Sequence, residues 1–262
     1  MKKSKAQNEQ KSMNSNAMKI FNQVIDKDFI VKMKELFLGN RFHGYADYRL
    51  KTFVKRVAKN IPKGESVLDA GAGECQYKKY LTHTDYVSQD LCIGDPDWDF
   101  SDIDIKSEIY DIPVKSKSFQ HILCIEVLEH LMYPHKAFTE LSRILKPGGY
   151  LYVVCPLAWL EHQKPYDYFR YTQFALKRLG EDVGLEVVEM NKHGGKWAVF
   201  STYFNGLIPT FFIERKMGTV GRLSQFIFYP INLVMGMIFF LLDKTDISKD
   251  LTGQYECVYK KL

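Results

Sequence analysis

A chain of 262 residues that is 46% hydrophobic and 14% aromatic can build a large core, which excludes intrinsic disorder and favours one α/β domain with an attached element over two full domains. Its formal charge of +5 is spread along the sequence instead of gathered in one arm, so composition alone does not indicate a nucleic-acid binder and leaves anionic partners, including membrane surfaces, open. The widely spaced Cys75, Cys92, Cys124, Cys155 and Cys257 include no Cys-x-x-Cys pair, which excludes a zinc ribbon or dithiol redox site and reads as reduced thiols of a cytoplasmic protein.

Residues 1–18 are Lys, Ser, Asn and Gln without an apolar run, which predicts a disordered leader and neither a signal peptide nor a spanning helix. Residues 28–60 place apolar side chains at helical spacing, first Phe29, Met33, Leu36 and Phe37, then Tyr48, Phe53, Val54 and Val57. With a break at Gly39-Asn40, this predicts two helices ahead of the sheet. From Ser66 onward, short β-rich runs alternate with amphipathic stretches: Ser66–Asp69, Tyr86–Gln89, Ile122–Ile125, Tyr150–Cys155 and Glu186–Met190. Such alternation implies parallel βαβ units covered on both faces. A helix is predicted from Pro134 to Leu145, closed by Lys146-Pro147-Gly148-Gly149, and another from the N-cap Thr172 to near Gly184. The run Gln254–Lys260 reads as a terminal strand.

The first chemical signal is Val67-Leu68-Asp69-Ala70-Gly71-Ala72-Gly73-Glu74, an apolar strand ending in an acid and a Gly-x-Gly turn, with a helix predicted to follow. Such glycines let the backbone approach a ligand, and the N-terminus of a following helix would add N–H donors. Gln76 stands where a third dinucleotide-binding glycine belongs, and Asp69 sits inside the strand. Both argue against NAD: a phosphate cradle gains nothing from a carboxylate, whereas a cofactor carrying an ammonium group does. Asp90 ends the next strand, seventeen positions beyond Gly73, near the offset at which an acid takes ribose hydroxyls.

These motifs, in order with Glu108-Ile-Tyr-Asp-Ile-Pro113, Ser118-Phe119, ILCIEVLEHL and RILKPGGYLYVVCP, make the sequence resemble the class I S-adenosylmethionine (SAM)-dependent methyltransferases, in particular the broad "type 11" group. The resemblance covers about Glu65 to Gly184. It implies a doubly wound, mostly parallel seven-stranded Rossmann-like sheet, with residues 19–262 as a single methyltransferase domain and SAM as the cofactor. Asp69, Gly71 and Gly73 would surround the methionine and ribose parts, Asp90 would hold the ribose hydroxyls, and Glu108 and Ile109 would lie at the adenine, with Glu126 also in the cofactor site. Glu108 stands where the family usually has Asp, and Gln120 where it commonly has Asp after Ser-Phe.

Methyl transfer from a sulfonium is an in-line displacement, so a protein chiefly supplies alignment and, where needed, a base. His162 is the first choice of base and His130 the second, while Tyr166, Asp167 and Arg170 in the segment after the fifth strand are expected to line or pin an acceptor lid. Glu126, Glu129 and His130 have the spacing of a divalent-metal motif found in ubiquinone-pathway and small-RNA 2′-hydroxyl methyltransferases. Metal-free relatives share that motif, and no metal is expected. The resemblance of Pro165-Tyr-Asp-Tyr-Phe-Arg170 to sugar-pathway members suggests an O or N acceptor that is small, glycan-linked or lipid-linked. A quinone precursor, an RNA 2′-hydroxyl, and a SAM-binding protein without turnover are the alternatives.

The segment of about 195–250 is an insertion ahead of the last strand, and Leu223 to Leu242 carries no charge. Its length matches a bilayer core at about 1.5 Å per residue. Both flanking strands must nonetheless return to one sheet, and Pro230, Asn232 and Gly236 interrupt the run. An interfacial helical element or re-entrant hairpin at the inner face of a membrane is therefore expected, with a homodimer contact through 223–242 or a spanning segment as the alternatives.

Overall fold

The computed structural model describes residues 44–204, 231 and 234–262. The chain divides at Tyr48/Arg49 into two units, and the architecture below is that of the second, Arg49–Leu262. The predicted leader, the first of the two N-terminal helices and the break at Gly39-Asn40 lie outside the described residues.

Helix α1 (Gly44–Asn60) leads into strands β1 (Ser66–Ala70), β2 (Asp85–Asp90), β3 (Ile105–Lys106) and β4 (Phe119–Ile125). There follow helix α2 (Pro134–Ile144), strand β5 (Leu145–Pro156), helix α3 (Gln173–Glu181), and strands β6 (Leu185–His193) and β7 (Gln254–Lys261). The seven strands form one sheet in the order β3-β2-β1-β4-β5-β7-β6. Strands β1 to β5 pair in parallel, and β7 inserts antiparallel between β5 and β6. The order reverses between β1 and β4, so the loops leaving those two strands meet over a crevice, where open α/β sheets bind ligands.

The sheet is buried on both faces because its central strands carry apolar side chains on both sides of the pleat. In β4, Ile122 and Cys124 join Phe138, Leu141 and Ile144 of α2 in one core, whereas Leu123 and Ile125 join Phe53, Val54 and Val57 of α1 in the other. Strand β5 divides the same way, Leu151, Val153 and Cys155 against Tyr152 and Val154. None of the five cysteines is paired.

Two local expectations are corrected, and one strand without a sequence signal is added. No α-helix follows the glycine turn: Lys78–Tyr80 forms a short 3-10 helix, and Gly73 and Cys75 both take positive φ, which an α-helix cannot contain. The Lys-Pro-Gly-Gly stop lies within β5, which starts at Leu145 directly after α2, because Leu145 has extended backbone (φ −74°, ψ 135°). Strand β3 went unread, since two residues carry no periodicity. Pairing to Gln89 and Asp90 defines it, and Asp104 steadies it by accepting from the Ser88 backbone N–H at 2.9 Å and from the Ser88 hydroxyl at 2.8 Å.

Of the uncharged run 223–242, only 231 and 234–242 are described, and no described helix is long and apolar enough to cross a membrane. Helical residues 196–204 and 234–243 pack through Trp197, Phe200 and Phe204 around Phe239. Val234, Met237, Ile238 and Leu241 stay exposed. The two buried carboxylates that follow the second segment cap the first. Asp243 accepts from the backbone N–H of Gly195 (2.8 Å) and Ala198 (3.0 Å), and Asp246 from that of Lys196 (2.9 Å). Gly195 is required there, because a Cβ would collide with the Asp246 carboxylate. Replacing Asp243 by Ala orphans two N–H groups at a helix start, and the urea unfolding free energy is expected to fall by about 2 kcal/mol. An unchanged midpoint would show that the caps do not hold the insertion to the sheet.

Candidate active site

Of the expected cofactor residues, Asp69, Gly71, Gly73, Asp90 and Glu126 lie at the carboxyl ends of β1, β2 and β4, whereas Glu108 and Ile109 follow β3. Asp69 is wholly buried in β1, and the Tyr86 hydroxyl donates to its Oδ2 at 2.9 Å. Burial, reinforced by the nearby charge of Asp90, pushes the Asp69 carboxyl up to about 7 against the pull of that hydrogen bond. Beyond Asp69 the chain turns through Gly71 (φ +77°) and Gly73 (φ +53°), and the Gly71 and Ala72 N–H groups both donate to the Gln89 carbonyl. Asp90 accepts from the Gly73 N–H at 2.9 Å through Oδ2 and from the Cys92 N–H at 2.6 Å through Oδ1. It thereby fixes the glycine turn to the end of β2.

Gly71 is demanded by the protein itself, while Gly73 is favoured by its positive φ. A Cβ on Gly71 would collide with the Val127 side chain beyond β4, and one on Gly73 would lie 3.4 Å from the Trp98 ring. Trp98 and Val127, together with Tyr86, are residues at this site that sequence reasoning missed. Trp98 sits in a charged loop after β2 with no periodic signal, and Val127 lies inside the EVLEH motif, where the neighbouring ionisable residues drew the reading. Glu108 is exposed, while Ile109 is buried in the α2 side of the core. Their segment is held from α2, where Glu140 accepts from the Ile112 N–H (2.8 Å) and Arg143 donates to the carbonyls of Ile112 and Val114.

At the end of β4, Glu126 takes a positive φ of 56°, a strained conformation for a non-glycine residue, and its N–H donates to Val154 O of β5. The 3-10 turn Leu128–His130 then buries Glu129 completely. The Glu129 carbonyl accepts from the N–H groups of Tyr168 and Phe169, anchoring the segment after β5. Three side chains meet here: Glu129 Oε1 lies 3.8 Å from His130 Nε2 and 3.9 Å from His162 Nε2, and the two imidazoles meet edge to face at 4.7 Å. Burial, aided by the charge of Glu126, drives the Glu129 carboxyl well above the usual range. Burial also pushes the His130 imidazole down, opposed by its hydrogen bond to the Tyr166 carbonyl.

The expected lid residues Asp167 and Arg170 form a two-point ion pair at 2.6 and 2.8 Å, and Arg170 also donates to the Leu160 carbonyl. That guanidinium holds the Asp167 carboxyl well below the ordinary carboxylate range. Asp167 in turn accepts from the His162 N–H at 2.9 Å. Tyr166 contributes its carbonyl, to His130 Nδ1 at 2.7 Å, while its ring is exposed. The structure therefore brings His130 and His162 together with Glu129, and the triple of possible metal ligands it forms contains His162 in place of Glu126.

No curated protein matches the sequence. Among solved structures, a SAM-dependent methyltransferase from Archaeoglobus fulgidus superposes with a TM-score of 0.52 at 15% identity, over 90% of this chain and 100% of that one. A proposed methyltransferase of Bacillus halodurans gives 0.53 at 13% identity, over 82% and 99%. The [4+2]-cyclase SpnF gives 0.50 at 15%, over 80% of each chain. These likenesses show the fold. The profile of a family described as "Methyltransferase domain" matches residues 42–190, more than half of the chain. Together with the β3-β2-β1-β4-β5-β7-β6 sheet and the glycine turn, this match shows that the chain belongs to that family and is a class I SAM-dependent methyltransferase.

Proposed function

We propose that the enzyme methylates a hydroxyl of a small, glycan-linked or lipid-linked acceptor that enters beneath residues 157–172. One observation carries this reading: the Nε2 atoms of His130 and His162 converge on the buried Glu129 carboxylate at the mouth of the β4 turn. A hydroxyl must shed its proton to become a competent nucleophile, and a site of converging proton acceptors serves that need, an effect typically of about 100- to 10,000-fold. The exposed rings of Tyr166, Tyr168 and Phe169 at the rim suit the apolar face of a sugar, with polar tips left to water. The apolar side chains Val234, Met237, Ile238 and Leu241 favour approach to a membrane surface, which fits a lipid-linked acceptor.

The residues at the glycine turn suit the cofactor. A buried carboxylate that burial drives toward its neutral form gains most from a cation beside it, and Asp69 is such a group. Asp90 uses one lone pair of each oxygen on a backbone N–H, which leaves acceptor capacity for two ribose hydroxyls. We assign Asp69, Gly71 and Gly73 to the methionine and ribose parts, Glu108 and Ile109 to the adenine, and Glu126 to the wall shared with the acceptor. Bound SAM supplies an electrophilic methyl group on a sulfonium. The chain's own task is to align the acceptor oxygen, exclude water with the pinned lid and take up the hydroxyl proton.

Calorimetric titration with S-adenosylhomocysteine should give binding that Asp90→Ala weakens by about tenfold or more, equivalent to about 1.4 kcal/mol. Undiminished affinity would remove Asp90 from the cofactor site. SAM affinity should fall as the pH drops through about 7, because Asp69 takes up a proton and its charge is lost, and Asp69→Asn should flatten that profile. Stability of the free protein runs the other way. The folded-state pKa of Asp69 is raised, so its contribution is full at low pH and is lost as pH rises through about 7. In hydroxyl-acceptor pools treated with labelled SAM, Arg170→Met should cut turnover while leaving adenosylhomocysteine affinity intact, since it frees the lid and touches no cofactor residue. Methylation confined to amines would overturn the hydroxyl reading.

A further inference from the structure

The cluster at the end of β4 has a feature that the acceptor reading does not explain: both buried Glu129 oxygens and His130 Nε2 face inward with no hydrogen-bond partner among the described residues. The Tyr166 carbonyl carries no hydrogen, so the 2.7 Å contact requires a proton on His130 Nδ1 and leaves a lone pair on His130 Nε2. His162 Nδ1 lies 3.1 Å from the Leu160 carbonyl and 3.4 Å from Asp167 Oδ2, both acceptors, so it too carries the proton and His162 Nε2 is left bare. Facing both is Glu129, fully buried, with neither carboxylate oxygen hydrogen-bonded among the described residues; His130 Nε2 is likewise without a hydrogen-bond partner. The Arg170 guanidinium, whose charge acts on Glu129, is engaged by Asp167. Buried acceptors that converge with no donor between them repel one another unless a cation sits among them.

We propose that Glu129, His130 and His162 form a binding site for one divalent transition-metal ion, tying the acceptor lid to the turn after β4. One ligand atom from each residue lies within 4.8 Å of the other two. The separations of 3.8 and 3.9 Å are about half an ångström longer than the spacing of ligands around a tetrahedral ion with bonds of about 2.0–2.1 Å, and all three ligand atoms lie within 4.8 Å of one another, so side-chain rotation must draw them together. Two imidazoles and one carboxylate select a borderline ion of the zinc, cobalt, manganese or iron type over magnesium, which prefers oxygen donors. The outer contacts are those of metal-bound histidines: each Nδ1–H is held by a backbone carbonyl, which fixes the tautomer and points Nε2 inward. Three protein ligands leave an open coordination position, as catalytic sites do. That this position receives the acceptor's hydroxyl oxygen rests on the function proposed above, whereas the ion site does not. With the ion bound, His162 serves as a ligand and not as the free base expected from sequence, and the ligand set departs from the Glu126, Glu129, His130 spacing motif.

The test uses the full-length protein stripped with EDTA and titrated with Co(II), followed by visible absorption, with Zn(II) as competitor. One equivalent of Co(II) should produce the intense visible bands of a four- or five-coordinate ion, displaced by Zn(II). His162→Ala and His130→Ala should each weaken binding by at least about tenfold. His135→Ala, an exposed histidine on α2, should not. Metal should also protect the 157–172 segment from limited proteolysis. Absent bands, or binding that survives unchanged in both ligand variants, would overturn the site. So would a wild-type protein that binds no ion while Glu129→Gln raises its stability, because the cluster would then hold a buried proton. Should the Glu129 variant not fold, the partly exposed His162 carries the test alone. Adenosylhomocysteine binding in every sample separates the outcomes: cofactor binding without metal sinks only the metal site, and loss of both points to an unfolded protein.

Discussion

The contact between Gly71 and Val127 is the constraint on which the rest of the site depends. Strands β1 and β4 are neighbours in the sheet, and their loops leave on the same side at the point where the strand order reverses. Because Gly71 has no Cβ, the Val127 side chain fits against its backbone, and the two loops close on each other. This places the glycine turn, fixed by Asp90, beside the turn that carries Glu126, Glu129 and His130. An alanine at Gly71 would meet both a backbone unfavourable for a side chain (φ +77°) and a methyl group already in the space.

From that junction the segment after β5 is held by hydrogen bonds to and from the backbone. The Glu129 carbonyl takes the N–H groups of Tyr168 and Phe169, the buried Tyr171 hydroxyl donates to Leu128 O, and His130 donates to Tyr166 O. Asp167 and Arg170 then close the segment on itself and hold the His162 backbone. The lid is thus tied at several points to the residue that faces both histidines. The geometry of the Glu129, His130 and His162 cluster therefore depends on how residues 157–172 are held against the end of β4.

The far side of the sheet repeats this economy with charged groups. His193, at the end of β6, pairs with Glu256 of β7 at 2.6 Å and receives a hydrogen bond from Arg49, while Arg56 of α1 grips Glu189 through two bonds. Immediately beyond, Asp243 and Asp246 cap the first helical segment of the insertion. The insertion therefore begins and ends at the same edge of the sheet, and its exposed apolar face is presented from a fixed base.

The sequence alone determined the elements and the family. Short apolar, β-rich runs mark the central strands, Thr172 caps its helix by a local bond to the Ala175 N–H, and the ordered motifs from VLDAGAGE to KPGG place Asp69, the glycines and Asp90 at strand ends. Tertiary structure decided what local patterns cannot encode. The predicted helix after Gly73 gave way because two residues of the turn take positive φ. The two-residue β3 exists only through pairing with β2. The partnership of Glu129 and His130 with His162, more than thirty positions away, arises because the segment after β5 folds back onto the end of β4. Spacing in sequence reports neighbours along one strand or helix, whereas a site built from two loops is set by the topology that brings those loops to the same edge of the sheet.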